Sequence, residues 1–222
     1  MYVQAPVCVP SRQSFFTGRY PRSHKNRVNY TLMNSDVKLM QQYFQDSGCK
    51  TGFVGKLHYF PPTLEYALST GFNDGKLHDG GVAVCDNHSQ YVDWLIQNCG
   101  ESIAANYRQT QKDHLNPFAA ELDDAYHETT WCGHETIHML NELKQSDEPF
   151  FLFSSYWKPH SPFEISDPWA SMYQNTQVPI PEKVSKDYVD SLPEAIQSLI
   201  YRYRNYEGYE DEWKLWKYTL CK

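Results

Sequence analysis

The chain has 222 residues, with 41% hydrophobic and 15% aromatic side chains. That composition fits a folded globular chain with a sizeable core and excludes a disordered one. A formal net charge of −7 leaves no basic face for a general nucleic-acid binder, and no apolar run approaches the roughly 18 residues that span a bilayer, so neither nucleic acid nor membrane is an expected partner. Residues Met1 to Pro6 have neither the basic start nor the apolar stretch of a signal peptide. Six cysteines (Cys8, Cys49, Cys85, Cys99, Cys132 and Cys221) show no tight spacing. If Cys8 is chemically modified, five remain, an odd number, which argues against a full disulfide framework and leans weakly toward a reducing, cytoplasmic compartment.

In chain order, the first informative stretch is Cys8-Val9-Pro10-Ser11-Arg12, running on to Thr17-Gly18. Pro10 suits the first turn of a helix. Cys8 then lies at or just before a helix N-terminus, where the dipole and unpaired N–H groups favour an anion. Arg12 follows one turn later on the same face. A thiol so placed is expected to have a lowered pKa and to be reactive. Ser35 or Asp36 is a candidate cap for a helix with Val37, Met40 and Phe44 at helical spacing, ended by Gly48. Lys50 to Val54 reads as a strand closing at Gly55.

Gly55-Lys56-Leu57-His58 follows that strand directly. On extended backbone Lys56 and His58 point the same way and place a cation beside an imidazole, a pair suited to an oxyanion. The region from Phe60 to Asn116 reads as loop-rich. A helix is predicted from about Thr130 to Lys144, with Trp131, Ile137, Leu140 and Leu143 on its apolar side. Phe150 to Tyr156 is a second buried strand, and Lys158-Pro159-His160-Ser161-Pro162-Phe163 follows it, with two prolines bracketing a histidine at a strand end. Ser191-Leu192-Pro193-Glu194 has the form of a capping box opening a further helix toward Tyr201. Helix-then-strand order predicts α/β layers around a mainly parallel sheet.

The run Cys8, Pro10, Ser11, Arg12, Thr17, Gly18 resembles the nucleophile motif of the sulfatase family. Gly55-Lys56-Leu57-His58 is similar to the family's Gly-Lys-x-His segment, and Pro159-His160-Ser161-Pro162-Phe163 to its Pro-His-x-Pro-Phe segment. Lys158 matches a Lys-Pro-His variant of iduronate-sulfatase-like members. The resemblance covers nearly the whole chain, with Phe60 to Asn116 matching loosely. It implies an alkaline-phosphatase-like sandwich, a mainly parallel central sheet flanked by helices and incomplete at both ends. Residues 1–222 would form the central part of a single sulfatase catalytic domain.

The same resemblance implies that a maturation enzyme oxidises Cys8 to formylglycine, whose hydrated aldehyde attacks sulfur. Arg12, Lys56 and His58 would complete the catalytic group with His160. Lys56, His160 and Lys158 would contact the substrate, a sulfated small molecule or carbohydrate. The implied cofactor is calcium, with magnesium as the alternative, bound through position 8. The remaining ligands, a pair of aspartates on a preceding strand and a later Asp with His or Asn, would lie outside these residues. The 222 residues alone would then be inactive.

Two other readings stay open. A phosphonate monoester or phosphodiester hydrolase of the same superfamily would share the nucleophile. From a different class, His134-Glu135-Thr136-Ile137-His138 fits the zinc-protease pattern on a predicted helix, with His114, His127 and Cys132 as distant candidates for a third ligand. The extended form of that motif wants a glycine and a histidine where Asn141 and Lys144 stand. The helix is therefore expected to pack on the sheet and carry no chemistry.

Overall fold

The computed structural model describes residues 2–80, 89–111, 118–119, 122–169, 171–172 and 185–198. The chain divides into two compact units, Met1–His114 with Leu122–Pro162, and Leu115–Glu121 with Phe163–Lys222.

In the larger unit, strand β1 (Lys50–Gly55) is the centre of a parallel sheet, between β2 (Asp74–Leu77) and β4 (Phe150–Ser155). Alternation along β1 sends Phe53 and Val54 to opposite faces. Phe53 joins Phe16, Leu39, Leu57, Tyr59, Phe72 and Leu77 in one apolar cluster. Val54 joins Tyr91, Leu95, Tyr107, Trp131 and Met139 in another. Each face is thus covered by its own layer, as a parallel sheet requires. Helix α1 (Cys8–Thr17) supplies Phe16 to the first layer, and the helix Glu128–Leu143 packs on β1 and β4 from the second. Among the described residues no helix is long and apolar enough to cross a membrane.

The strands expected from the sequence are present with nearly the expected bounds. Other expectations need correction. The helix before β1 begins at Met40, because Ser35 and Asp36 belong to a turn closed by Asn34, whose Oδ1 accepts the Asp36 N–H at 3.1 Å. Leu39 precedes the helix, and its N–H is accepted by Gln42 Oε1 at 2.7 Å. In the helix Glu128–Leu143, Ile137 faces solvent at 58% exposure while Met139 and Cys132 are buried. Ile137 lies about 120° around the helix from Trp131, whereas Met139, seven residues beyond Cys132, lies within about 20° of that buried side chain. The stretch from Phe60 to Asn116 is far from loop-only. It holds the helices Leu64–Ser69, Gln90–Cys99 and Glu101–Thr110 as well as β2. Thr63 and Ser89 cap the first two with side-chain oxygens.

In the smaller unit, β3 (Phe118–Ala119) pairs in parallel with β5 (Glu164–Ile165), and a short helix spans Lys186–Asp190. The capping box expected at Ser191 is absent. The Ser191 hydroxyl donates back to the Tyr188 carbonyl at 2.7 Å, and helical residues begin at 194. The continuation toward Tyr201, like Cys85, His114 and Cys221, lies outside the described residues.

Candidate active site

The site assembles at the carboxyl ends of β1 and β4, where ligands bind in parallel α/β sheets. Cys8 occupies the first position of α1, after Val7 as the extended N-cap residue. The Ser11 N–H reaches the Val7 carbonyl at 2.9 Å to close the first turn, and Val9 N–H donates to Asn29 Oδ1 at 3.0 Å. Cys8 is half-buried and its thiol is not in a disulfide.

Arg12, one turn along, ties the helix to both strands. Its Nη1 donates to the Lys56 carbonyl at 2.7 Å and to Ser155 Oγ at 3.2 Å. Burial lowers its pKa, while Asp79, Cys8 and Tyr59 pull it upward. The junction of the strands depends on Gly55, which has φ 92°, and a Cβ there would stand 2.0 Å from the Ser155 carbonyl oxygen. Only glycine lets the chains meet this closely in that conformation. The Lys56 N–H then donates to the same Ser155 oxygen at 2.8 Å.

Past Gly55 the backbone turns. The N–H groups of Leu57 and His58 both donate to Asp79 Oδ1 at 2.8 Å, and His58 itself has φ 56°. Lys56 and His58 are therefore presented by a turn held on a carboxylate, not by continued extended strand. Asp79 is fully buried; burial raises its pKa, against the His58 and Leu57 N–H groups and the cations Lys56 and Arg12.

Lys56 is 3% exposed, with its ammonium 3.6 Å from the centroid of the Trp157 ring. Burial, reinforced by Arg12, lowers its pKa to about 8, although Cys8, Asp79 and Glu128 oppose the shift. His58 is 6% exposed, and neither ring nitrogen has a hydrogen-bond partner among the described residues. Burial, then the nearby charges of Lys56, Arg12 and His160, push it down to about 3, so it is neutral at ordinary pH. A neutral buried imidazole with unspent nitrogens is equipped to hold or pass a proton.

His160 is exposed, with its ring centroid 4.6 Å from that of Trp157. Its Nδ1 lies 2.6 Å from the Ser161 carbonyl. A carbonyl only accepts, so Nδ1 carries the proton. Lys158 is no loose surface cation. Its Nζ stands 3.1 Å from Glu128 Oε1 and donates to the Pro162 carbonyl at 2.6 Å. An acidic substrate would have to compete with Glu128 for it. Glu128 is fully buried, 2.8 Å from His78 Nε2, and also accepts from the Tyr107 hydroxyl. Burial opposes its charge, but Lys158 and the His78 and Tyr107 contacts outweigh that and hold it well below the usual carboxylate range.

Cys8 is thus coupled to Arg12 and Lys56, those two cations to His58, and His58 to His160. Sequence reasoning did not find Asp79, Ser155, Trp157 or Glu128. A signal existed for two of them: His78-Asp79 is a polar pair at the end of β2, and Trp157 directly precedes Lys158-Pro159-His160. His134 and His138 lie on the exposed side of their helix, with His138 Nδ1 3.5 Å from Glu142. Among the described residues no three His, Cys, Asp or Glu side chains gather to hold a metal. By themselves they supply no such set for zinc on this helix or for calcium at Cys8.

Four similarities bear on these residues. A bacterial arylsulfatase from Clostridium perfringens is 28% identical over 195 residues, covering 81% of this chain and 39% of that protein. Iduronate 2-sulfatase of Mus musculus is 27% identical over 179 residues, covering 78% of this chain and 30% of that protein. The chain thus spans about two-fifths or less of these relatives. An enzyme solved with its substrate D-glucosamine-2-N,6-O-disulfate superimposes with a TM-score of 0.55 at 16% identity, covering 99% of this chain and 49% of that one, and so shares the fold. A phosphonate monoester hydrolase of Agrobacterium radiobacter shares it too, with a TM-score of 0.56 at 20% identity over 75% of this chain and 34% of that one. Residues 1–209 match the sulfatase family as a whole, and with three motifs of that family meeting at one sheet end, the chain belongs to it.

Proposed function

We propose that the enzyme carrying this chain hydrolyses sulfate esters, with position 8 as nucleophile after a maturation enzyme oxidises Cys8 to formylglycine. The observation that carries this reading is that Arg12, tied to the Lys56 carbonyl and Ser155 at the ends of β1 and β4, is coupled together with Lys56 to Cys8, while His58 lies beside the same two cations. Formylglycine, once hydrated, supplies a hydroxyl to attack sulfur. Arg12 and Lys56 offset charge on the sulfuryl oxygens and hold the group beside position 8. Neutral His58 accepts or returns a proton there. His160, protonated at Nε2, gives that proton to the departing ester oxygen as the sulfur–oxygen bond breaks, which releases the alcohol and leaves the sulfuryl group on position 8; the second hydroxyl of the diol then gives up its proton and re-forms the aldehyde as the carbon–oxygen bond to the sulfate breaks, which releases sulfate. The substrate is a sulfated sugar or other small sulfate ester, a reading favoured by the structural neighbour solved with a sulfated glucosamine. A divalent cation enters through the family alone, with ligands beyond those gathered here.

The direct test is expression of the full-length reading frame beside a formylglycine-generating enzyme, followed by assay on paired aryl sulfate and aryl phosphate esters. Preference for the sulfate supports the reading; preference for a phosphate or phosphonate ester would replace it with the sister activity. In the same enzyme, Lys56→Ala and His58→Ala are each expected to lower kcat/KM at least about a hundredfold, the scale of a lost oxyanion or proton-transfer group. His160→Ala should do likewise, with a defect that shrinks as the leaving group improves. A defect equal across a leaving-group series would remove His160 from its role as acid. Glu135→Ala is the control and should leave turnover intact.

The pH dependence follows from Lys56. Its charge is required, and it is lost as pH rises through about 8. Because kcat/KM reports the free enzyme, the alkaline limb is expected near that pH. Lys56→Arg keeps a cation at all ordinary pH values and should carry the limb upward. A limb that stays in place in Lys56→Arg belongs to another group.

A further inference from the structure

We propose that Trp157 is a positioning residue for sulfate-ester hydrolysis: its indole ring seats both the Lys56 ammonium and the His160 imidazole. In doing so it fixes the spacing between the group that holds the sulfate and the group that protonates the departing oxygen. This rests on the sulfate-ester reading above.

Trp157 is 7% exposed and lies two residues beyond the end of β4. Among the described residues Lys56, His160 and Gly80 lie against its ring, with the His78 ring further off at 6.4 Å between centroids. The Lys56 ammonium stands 3.6 Å from a ring centroid, well inside the range of a cation–π contact. The His160 ring lies 4.6 Å away at an interplanar angle of 44°. Gly80, with φ 56°, presses on the indole so closely that a Cβ would stand 2.4 Å from its ring carbons. The ring is therefore held in place by a residue that has no side chain to push it aside.

The chemistry favours an aromatic seat over a carboxylate. A lysine that binds an anionic ester must remain charged although buried, yet must not be neutralised by a protein anion that competes with sulfate. No carboxylate of the described residues lies within 4.0 Å of the Lys56 ammonium. The indole face meets both conditions, since it attracts the cation through its quadrupole and leaves the N–H donors for the ligand. The indole Nε1 is buried without a hydrogen-bond partner among the described residues, so the ring acts through its face and not through its N–H. Phenylalanine would keep that face; leucine would remove it.

The test uses the full-length enzyme with para-nitrophenyl sulfate and a series of poorer leaving groups. Trp157→Leu is expected to lower kcat/KM about tenfold or more, mostly through a raised KM, and to steepen the dependence on leaving group as His160→Ala does. Trp157→Phe should recover most of the loss. Equal losses in Phe and Leu variants, or no loss in a folded Leu variant, would overturn the proposal. A second measurement needs no turnover. With carbon-13-labelled lysine, the side-chain ε-CH2 resonance assigned through Lys56→Arg should be shifted upfield by the ring current in the wild type and in Trp157→Phe. An unshifted wild-type resonance would also overturn the seating of Lys56. If the wild type fails to hydrolyse sulfate esters while the shift is present, it is the sulfatase reading that falls. If Trp157→Leu does not fold, the Phe variant and the wild-type resonance decide.

Discussion

Cys8→Ala in the full-length, matured enzyme is expected to abolish sulfate-ester turnover, by at least about ten-thousandfold, because it removes the group that forms the covalent bond to sulfur. The residue stands at the first position of α1, half-buried, with Arg12 and Lys56 electrostatically coupled to it. Those cations remain in the variant and can still bind a sulfate, so KM for any residual activity should change less than kcat. Because the thiol is not in a disulfide and is only half-buried, the thermal midpoint should hardly move. Mass spectrometry of the peptide ending at Arg12 should show the aldehyde in the wild type, and Cys8→Ser should be inactive in a host that oxidises only cysteine. Substantial activity in folded Cys8→Ala would place the nucleophile elsewhere, and full activity with an unmodified thiol would remove formylglycine from that role.

The second large effect is on stability. Glu128→Ala is expected to cost about 3–5 kcal/mol, since it removes one partner of a buried ion pair and leaves the other uncompensated. Lys158, whose side chain is 15% exposed, would lose its carboxylate, and His78 and Tyr107 would lose their shared acceptor. Denaturant titration is the measurement, and Glu128→Gln with Lys158→Met should be less destabilised than Glu128→Ala. The carboxyl is held below its ordinary value in the folded chain, so the stability it contributes is complete above about pH 4.5 and is lost as pH falls below that toward the folded value. The wild type should therefore lose more stability on acidification than Glu128→Gln. Identical acid limbs in the two proteins would show that the ion pair carries little net stabilisation. The consequence also reaches catalysis, because Lys158 is two residues from His160 in the segment that leaves β4.

The contrast between Arg12 and Asp79 shows what was legible without coordinates. Arg12 belongs to a compact motif in which Pro10 starts a helix and the next turn brings its side chain back over Cys8; all of that is short-range chemistry. Asp79 sits 21 residues from His58 along the chain, in a region without readable periodicity, and its role exists only because β2 lies beside β1. Glu128 reads in sequence as an ordinary polar residue at a helix start. Its burial follows from the fold, which brings His78, Tyr107 and Lys158 around it. The Phe60–Asn116 region was opaque for a related reason. Its helices are short, between 6 and 10 residues, and are stabilised by packing on the sheet more than by their own pattern.

The sequence by itself determined the two long strands of the parallel sheet, the helix that presents Cys8, the Gly55-Lys56-Leu57-His58 segment and the family to which they point. These are written in alternation, proline and glycine placement and motif spacing, all of which act over a few residues. The tertiary structure decided how Lys56 and His58 are aimed, through the turn held on Asp79. It also decided that Lys158 spends its charge on Glu128 and that Lys56 and His160 meet on one indole ring. Those outcomes depend on which distant groups share a low-dielectric interior. There a buried charge must find a partner or a face, and no local pattern records which one it will be.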